Sequence, residues 1–277
     1  MAIKAITISP PAISLNLAAG EVQTGEIIVL NPSDSTEDMD YLARVTPYSV
    51  QNDDYSANFS AETAYTDIAN WLTLENASGT LAPGETAKVK YTITVPESAP
   101  AGGQYCTISV QSLAGSGETV NESFEIASII FAKVSGEIDE TGEILELSSP
   151  GVVFVTPVKT TLSLKNSGNV HLVAQIETKV TSIFTGESIF ATESLQTETV
   201  MPGTSRSATY IFDEFPELGL FQYSQTVTYA GEVKTDSHLI FVCPIWFSIL
   251  SVVAFSSIVA LIVSRIRRTR RKKCFSD

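Results

Sequence analysis

Cysteine, histidine and basic residues are all scarce in this sequence, and each shortage removes a class of function. Three cysteines occur in 277 residues, and only Cys106 lies outside the apolar C-terminal run and the tail, so the body has no pair from which to build a disulfide framework. Cys243, which opens the apolar run, and Cys274 in the tail read as inert thiols rather than lipid attachment points. The two histidines, His171 and His238, have no second His, Cys or paired carboxylate at metal-ligand spacing. His171, in "NSGNVHL", reads as a structural hydrogen-bonding residue, and His238 stands at the edge of the apolar run. There is no phosphate-binding glycine loop, and "GTSRS" lacks the last glycine of a nucleophile elbow. The acidic run "DSTEDMD" (Asp34 to Asp40) lacks the bend glycine and distal Glu of a calcium loop and reads as a solvated loop. These gaps predict a protein that is not an enzyme and carries no metal and no cofactor.

Basic charge is short only in the body. Residues 1–238 hold ten Lys/Arg against thirty Asp/Glu, a net of −20, whereas residues 265–277 hold seven basic and one acidic residue, a net of +6, which together give −14. An acidic body has no field to attract a phosphate backbone, so nucleic acid is excluded as its partner.

From Leu239 to Ser264 no residue carries a formal charge, and Ile245 to Val263 contains twelve Leu, Ile, Val or Phe. Nineteen helical residues reach about 28 Å, close to the roughly 30 Å of hydrocarbon in a bilayer. Pro244 suits a first helical turn and Trp246 an interface. A single transmembrane helix over 239–264 is therefore predicted, followed by a basic cytoplasmic tail, 265–277. Arg265, Arg267, Arg268, Arg270, Arg271, Lys272 and Lys273 follow the run directly, against Lys234 alone in the ten residues before it. Short basic flanks stay cytoplasmic, which places the body outside the cell membrane. The first eleven residues, "MAIKAITISPP", show no apolar leader. Two explanations stay open: a start placed downstream of the true one, or a tail-anchored protein whose body is cytosolic.

Short alternating runs rich in Thr, Val, Ile and Tyr, broken by Pro, Gly, Asn and Ser, fill residues 3–235 and predict strands. The pattern occurs twice. "GEIIVLNPSD" (Gly25 to Asp34) corresponds to "TTLSLKNSGN" (Thr160 to Asn169), each a strand ending in Asn and a turn. "LAPGETAKVKYTITVPESAPAGGQYCTISV" (Leu81 to Val110) corresponds to "VMPGTSRSATYIFDEFPELGLFQYSQTVTY" (Val200 to Tyr229), with Pro-Gly opening both blocks and Gln-Tyr near both ends. The fold class predicted is all-β: two tandem immunoglobulin-like β-sandwiches, 1–135 and 136–237, followed by the transmembrane helix. The division falls near "SGEIDETG" (Ser135 to Gly142).

The order "ISPPAISLNLAAGEVQTGEIIVLNPSD", "WLTLENASGTLAPGETAKVKYTITVP…AGGQY", "FAKVSGEIDETGEI", "KNSGNVHL", "VMPGTSR", apolar span and basic tail resembles bacterial cell-surface proteins of the WxL-interacting type. The resemblance covers nearly the whole chain. It implies a peptidoglycan-binding immunoglobulin-like domain, a second similar domain for host or partner contact, one span and a short cationic tail.

The first copy is longer between its aligned Asn and Pro, 52 residues from Asn31 to Pro83 against 36 from Asn166 to Pro202. The longer stretch carries Tyr41, Tyr48, Tyr55, Phe59, Tyr65 and Trp71 in acidic, polar surroundings. Aromatics in such settings stack on sugar rings or anchor a protein partner. Trp71 is expected in the core, and Tyr48, Tyr55 and Tyr65 are the candidate contact residues. The expected function is binding at the cell surface, to wall glycan such as peptidoglycan or to a surface protein. The alternatives are a structural component of a cell-envelope assembly without a small ligand, and a tail-anchored cytosolic adaptor.

Overall fold

In the computed structural model, residues 6–51, 55–113, 124–155, 157–191, 196–212 and 218–273 are described. The first half of the chain forms β1 (Thr7–Ser9), β2 (Ala12–Leu17), β3 (Val22–Leu30), β4 (Met39–Pro47), β5 (Ser49–Gln51), β6 (Ser56–Asn58), α1 (Ile68–Trp71), β7 (Leu72–Glu75), β8 (Ser78–Leu81), β9 (Thr86–Thr94), β10 (Gly102–Leu113) and β11 (Glu125–Val134). One sheet has the order β1-β3-β9-β7, the other β2-β11-β10-β4-β8, and β5 pairs with β6 alone. The alternation read in "TAKVKYTIT" is the reason β9 works as a sandwich strand: Val89, Tyr91 and Ile93 are buried while Lys88 and Lys90 face out. They join Ile27, Val29, Ile108, Val110 and Ile130 in the core. Each such aliphatic side chain removed from water contributes roughly 1.5–3 kcal/mol.

The second half repeats the scheme with β12 (Gly142–Ser148), β13 (Val152–Val153), β14 (Val158–Asn166), β15 (Leu172–Ser182), β16 (Ser188–Ala191), β17 (Gln196–Val200), β18 (Ser205–Phe212), β19 (Gly219–Tyr229) and β20 (Glu232–Val242). Its sheets run β12-β14-β18 and β13-β20-β19-β15-β16, with β17 also on β15. The correspondence extends to the strand pairings. β2 lies parallel to β11 as β13 lies parallel to β20, and β10 pairs antiparallel with both β11 and β4 as β19 pairs with β20 and β15. The chain is all-β, two immunoglobulin-like sandwiches followed by one apolar helix, α2 (Ile245–Lys273).

Two compact units divide these residues: Met1–Leu145 with Leu164–Val173 and Thr199–Ser207, and Glu146–Ser163 with Ala174–Glu198 and Ala208–Asp277. The first unit holds a device present in both copies of the sequence pattern. The side-chain amide of buried Asn31 donates to Leu81 O at 2.9 Å and Glu37 O at 3.1 Å. Its main chain closes on the Pro-Gly turn, Asn31 N to Glu85 O at 3.1 Å and Gly84 N to Asn31 O at 2.8 Å. Asn166 repeats this, donating to Val200 O at 2.9 Å and Val170 O at 2.7 Å. Asn166 N donates to Thr204 O at 2.9 Å and Gly203 N to Asn166 O at 3.0 Å. Gly84 and Gly203 have φ of +80° and +70°, the third position of a turn that Pro83 and Pro202 open.

The apolar run does not begin the helix where composition places it. Leu239 to Val242 are the last residues of β20, paired with Gly219 to Gln222 of β19. Hydrophobicity alone does not distinguish a buried strand end from a helix start. What separates them is Pro244, after which α2 begins at Ile245. At its other end α2 continues through Lys273, so the residues read as a tail are helical in backbone up to that point.

Candidate functional site

Of the candidate contact residues, Tyr48 and Tyr65 bond through their main chains to fully buried Tyr105 in the first unit, and Tyr55 is near enough to act on the Tyr105 hydroxyl electrostatically. Gln104 and Tyr105 form the Gln-Tyr pair at the start of β10, and their side chains fix what surrounds them. Gln104 Nε2 donates to Ala64 O at 2.9 Å while its Oε1 accepts from Ile68 N at 3.2 Å, which pins the segment ahead of α1. Tyr105 N donates to Tyr65 O at 2.7 Å, and Tyr48 N donates to Tyr105 O at 3.3 Å.

The three tyrosines differ in what remains available. Tyr48 is half-buried, its ring 6.0 Å from the exposed Phe59 and 6.3 Å from Phe131. Tyr55 is engaged within the molecule: its hydroxyl accepts a hydrogen bond from Met201 N, and the Arg206 guanidinium lies 4.7 Å from its ring centroid. It also has φ of +58°, a conformation that costs an L-residue about 1–2 kcal/mol and persists where neighbours hold it. Tyr65 is half-buried. Of the other aromatics, Tyr41 is buried with its hydroxyl donating to Asn76 O at 3.0 Å. Trp71 ends α1 and packs partly buried against the core.

His171 is hydrogen-bonded at both its amide and its ring. Its N–H donates to Tyr105 Oη at 2.8 Å, and Nδ1 lies 3.3 Å from the same oxygen. With the amide donating into it, the hydroxyl keeps its proton for Nδ1, which selects the Nε2–H tautomer. Tyr105 and Phe131 rings lie 5.7 and 5.1 Å from the imidazole. Burial holds its pKa below the ordinary 6.5, and the Lys133 cation adds to this, with Glu140 opposing. A depressed histidine favours the neutral form in the folded state. Its stabilisation is therefore complete above the unfolded value near 6.5 and is lost as pH falls through the lower folded value. The urea midpoint of the full chain is expected to drop between pH 7 and 5, and the drop is expected to shrink in His171→Gln. An equal drop in both proteins would assign it to other groups.

Sequence reasoning missed a contact in the second unit, because its members lie 89 residues apart. His238 Nε2 is 3.0 Å from Ser149 Oγ, and Nδ1 is 3.2 Å from Asp236 Oδ2. Only the Asp-x-His spacing along β20 was visible beforehand; it puts both side chains on one face of a strand. Elsewhere, the described residues contain no group of three or more His, Cys, Asp or Glu that could hold a metal ion. Cys106 and Cys243 are buried free thiols, and burial pushes the Cys106 pKa up to about 12, which keeps it unreactive.

No family model and no curated protein matches the sequence. Solved structures that resemble the chain include several chaperones. The class 5 fimbriae chaperone CfaA is 13% identical over 85% of this chain and 99% of its own, with a TM-score of 0.42. The YadV chaperone is 8% identical over 85% and 99%, with a TM-score of 0.42. A structure of the Salmonella enterica SafA pilin in complex with the SafB chaperone matches at 12% identity over 87% and 98%, with a TM-score of 0.41.

α2 is the one described helix long and apolar enough to cross a membrane. Within its 22-residue segment Ile245–Ile266 the mean hydropathy reaches 2.4, and none of that stretch is buried inside the protein. Apolar side chains cover every side, from Trp246 and Ile249 through Phe255 to Leu261. The hydroxyls within it are satisfied by the helix itself: Ser251, Ser256 and Ser257 donate to the carbonyls four residues before, at 2.8, 2.7 and 2.8 Å. A helix whose polar atoms are internally paired suits lipid. Arg265, next to the last residue of that segment, is exposed. The side chains of Arg267, Arg268, Arg270, Arg271, Lys272 and Lys273, and the whole of Cys274, lie outside the described residues.

Proposed function

We propose that this is a single-span membrane protein that holds two acidic β-sandwiches outside the cell and acts by binding. The observation that carries the reading is α2: 22 predominantly apolar residues without cover from the rest of the protein, with seven basic residues from Arg265 onward. At about 1.5 Å per residue they reach roughly 33 Å, enough for the hydrocarbon layer. Moving the basic cluster through lipid is unfavourable, so it stays in the cytoplasm and the body lies outside. The sequence resemblance to WxL-interacting-type surface proteins favours the same arrangement.

Surface-exposed Phe59 and half-buried Tyr48, their rings 6.0 Å apart, form the contact patch in this reading, with half-buried Tyr65 as a further contact residue. The body's net charge of −20 repels anionic wall polymers, which leaves neutral glycan such as peptidoglycan, or a basic protein surface, as the compatible ligand. Protease applied to intact cells is the test. The sandwiches are expected to be cleaved while an epitope fused after Asp277 survives on a membrane-bound fragment. A body left intact beside a cleaved surface control would instead mean a tail-anchored cytosolic protein.

A further inference from the structure

Strand β20 carries Asp236, His238, Ile240 and Val242 on one face, and the last two are in the second unit's apolar core. Asp236 and His238 continue that face where the core turns polar. Thr160, Thr178 and Gln225 are buried there beside Tyr223, and Gln225 Nε2 donates to Thr178 Oγ1 at 3.3 Å. Asp236, 3.2 Å from Nδ1, holds the proton on that nitrogen. The Nε2 lone pair then faces Ser149 Oγ at 3.0 Å. A serine, a base within hydrogen-bond reach and a third group orienting the base are the parts of an activated nucleophile.

An independent observation falls at the same place. Among the described residues, Tyr223 Oη and Thr160 Oγ1 are buried without a hydrogen-bond partner. Thr160, Ser149 and Thr178 lie close enough to the Tyr223 hydroxyl to act on it as hydrogen-bond partners, yet none closes a bond of ordinary geometry to it, and its ring is 5.4 Å from that of His238. Buried polar atoms are nearly always well paired, so two hydroxyls without a bond of ordinary geometry beside a Ser–His–Asp arrangement mark donors available to an incoming oxygen.

We propose that Ser149 is a nucleophile, activated by His238 and Asp236, that takes an acyl group from a small ester and releases it to water. This goes beyond the binding reading and does not rest on it. Ser149 Oγ bonds to the ester carbonyl carbon as its proton passes to His238 Nε2. The bond to the alcohol breaks, and the departing oxygen takes that proton. Water then attacks the acyl-serine by the same path, giving the acid and free Ser149. Tyr223 Oη–H is the donor to the carbonyl oxygen while negative charge develops there, a kind of contact whose loss slows acyl transfer about 10²–10³-fold. Burial raises the Tyr223 pKa to about 12, so the hydroxyl keeps its proton at neutral pH.

The test uses the full chain in detergent micelles and a fluorophosphonate probe, whose phosphorus bonds to an activated serine with loss of fluoride. One adduct per chain is expected, mapping to Ser149 and absent from Ser149→Ala. Labelling of His238→Gln is expected to be about 10²-fold or more slower. Tyr223→Phe separates chemistry from structure. Removing a poorly paired hydroxyl is expected to hold or raise the thermal midpoint, while labelling slows about 10²-fold or more. Circular dichroism confirms that each variant is folded. Wild-type protein without an adduct at Ser149, or labelling unchanged in folded His238→Gln, would show a structural hydrogen bond and overturn the proposal. So would failure of the wild type to turn over p-nitrophenyl acetate faster than Ser149→Ala.

Discussion

Asn31→Ala is expected to destabilise the first unit by about 2–4 kcal/mol, and Asn31→Asp by more. The amide of Asn31 supplies both protons for Leu81 O and Glu37 O, and the residue is 2% exposed, so water does not replace them. Alanine leaves Leu81 O without this buried donor, at a cost of roughly 1–3 kcal/mol, and takes one of the donors from Glu37 O, which keeps Ser35 Oγ. Aspartate is nearly the same shape but turns a donor into an acceptor, setting a buried carboxylate against two carbonyl oxygens. It either carries an unpaired charge or takes up a proton, and both add to the loss. Asn166 makes the matching bonds and is expected to behave alike. Against the usual 5–15 kcal/mol of a folded domain this is a large fraction. Urea unfolding at pH 7 checks it through a lower midpoint at unchanged slope. A loss under about 1 kcal/mol in both aspartate variants would mean that the clamp is dispensable.

The same two asparagines show how much of the fold was legible in the sequence. Duplication, Pro-Gly turns and strand ends all stood out, because turn chemistry and two-residue alternation are local properties. That each asparagine reaches back to the strand before the turn was not visible, since Asn31 and Leu81 are 50 residues apart. Local reasoning finds where a strand stops. It does not find what the terminal side chain holds.

The candidate site divides along the same line. An excess of aromatics between Asn31 and Pro83 drew attention to Tyr48, Tyr55 and Tyr65. Yet Tyr55 hydrogen-bonds to Met201, 146 residues away, and no pattern in the flanking sequence announces a partner that remote. His171 read as a hydrogen-bonding residue from its turn context, and it is one, although its partner Tyr105 is 66 residues off. The apolar run shows the opposite failure. A strong local signal overshot, because four residues of β20 share the composition of α2 and only Pro244 separates them.

Gly168→Ala is expected to cost about 3–5 kcal/mol, far beyond the ordinary price of a methyl group on a loop. A Cβ built there falls 2.1 Å from Asp139 O and 2.8 Å from Asp139 C, and what it meets is backbone, which has no rotamer to change. The segment is fastened on both sides of the contact. Asn169 N donates to Asp139 O at 2.9 Å and Ser167 N to Thr141 O at 2.9 Å. Asp139 N donates to Asn169 Oδ1 at 2.8 Å, and Asn169 Nδ2 to Glu137 O at 2.9 Å. Making room for the methyl group therefore breaks several of these bonds together, including the one from Gly168 N to Asn166 Oδ1 at 2.9 Å. That last loss couples the variant to the asparagine clamp, so Gly168→Ala combined with Asn166→Ala should fall short of the sum of the two single losses. Gly151→Ala is the control, since nothing lies within 4 Å of its Cβ and its stability should change by less than about 1 kcal/mol. If Gly168→Ala unfolded at the same urea concentration as Gly151→Ala, the close approach of residues 137–141 to 166–171 would not exist in solution.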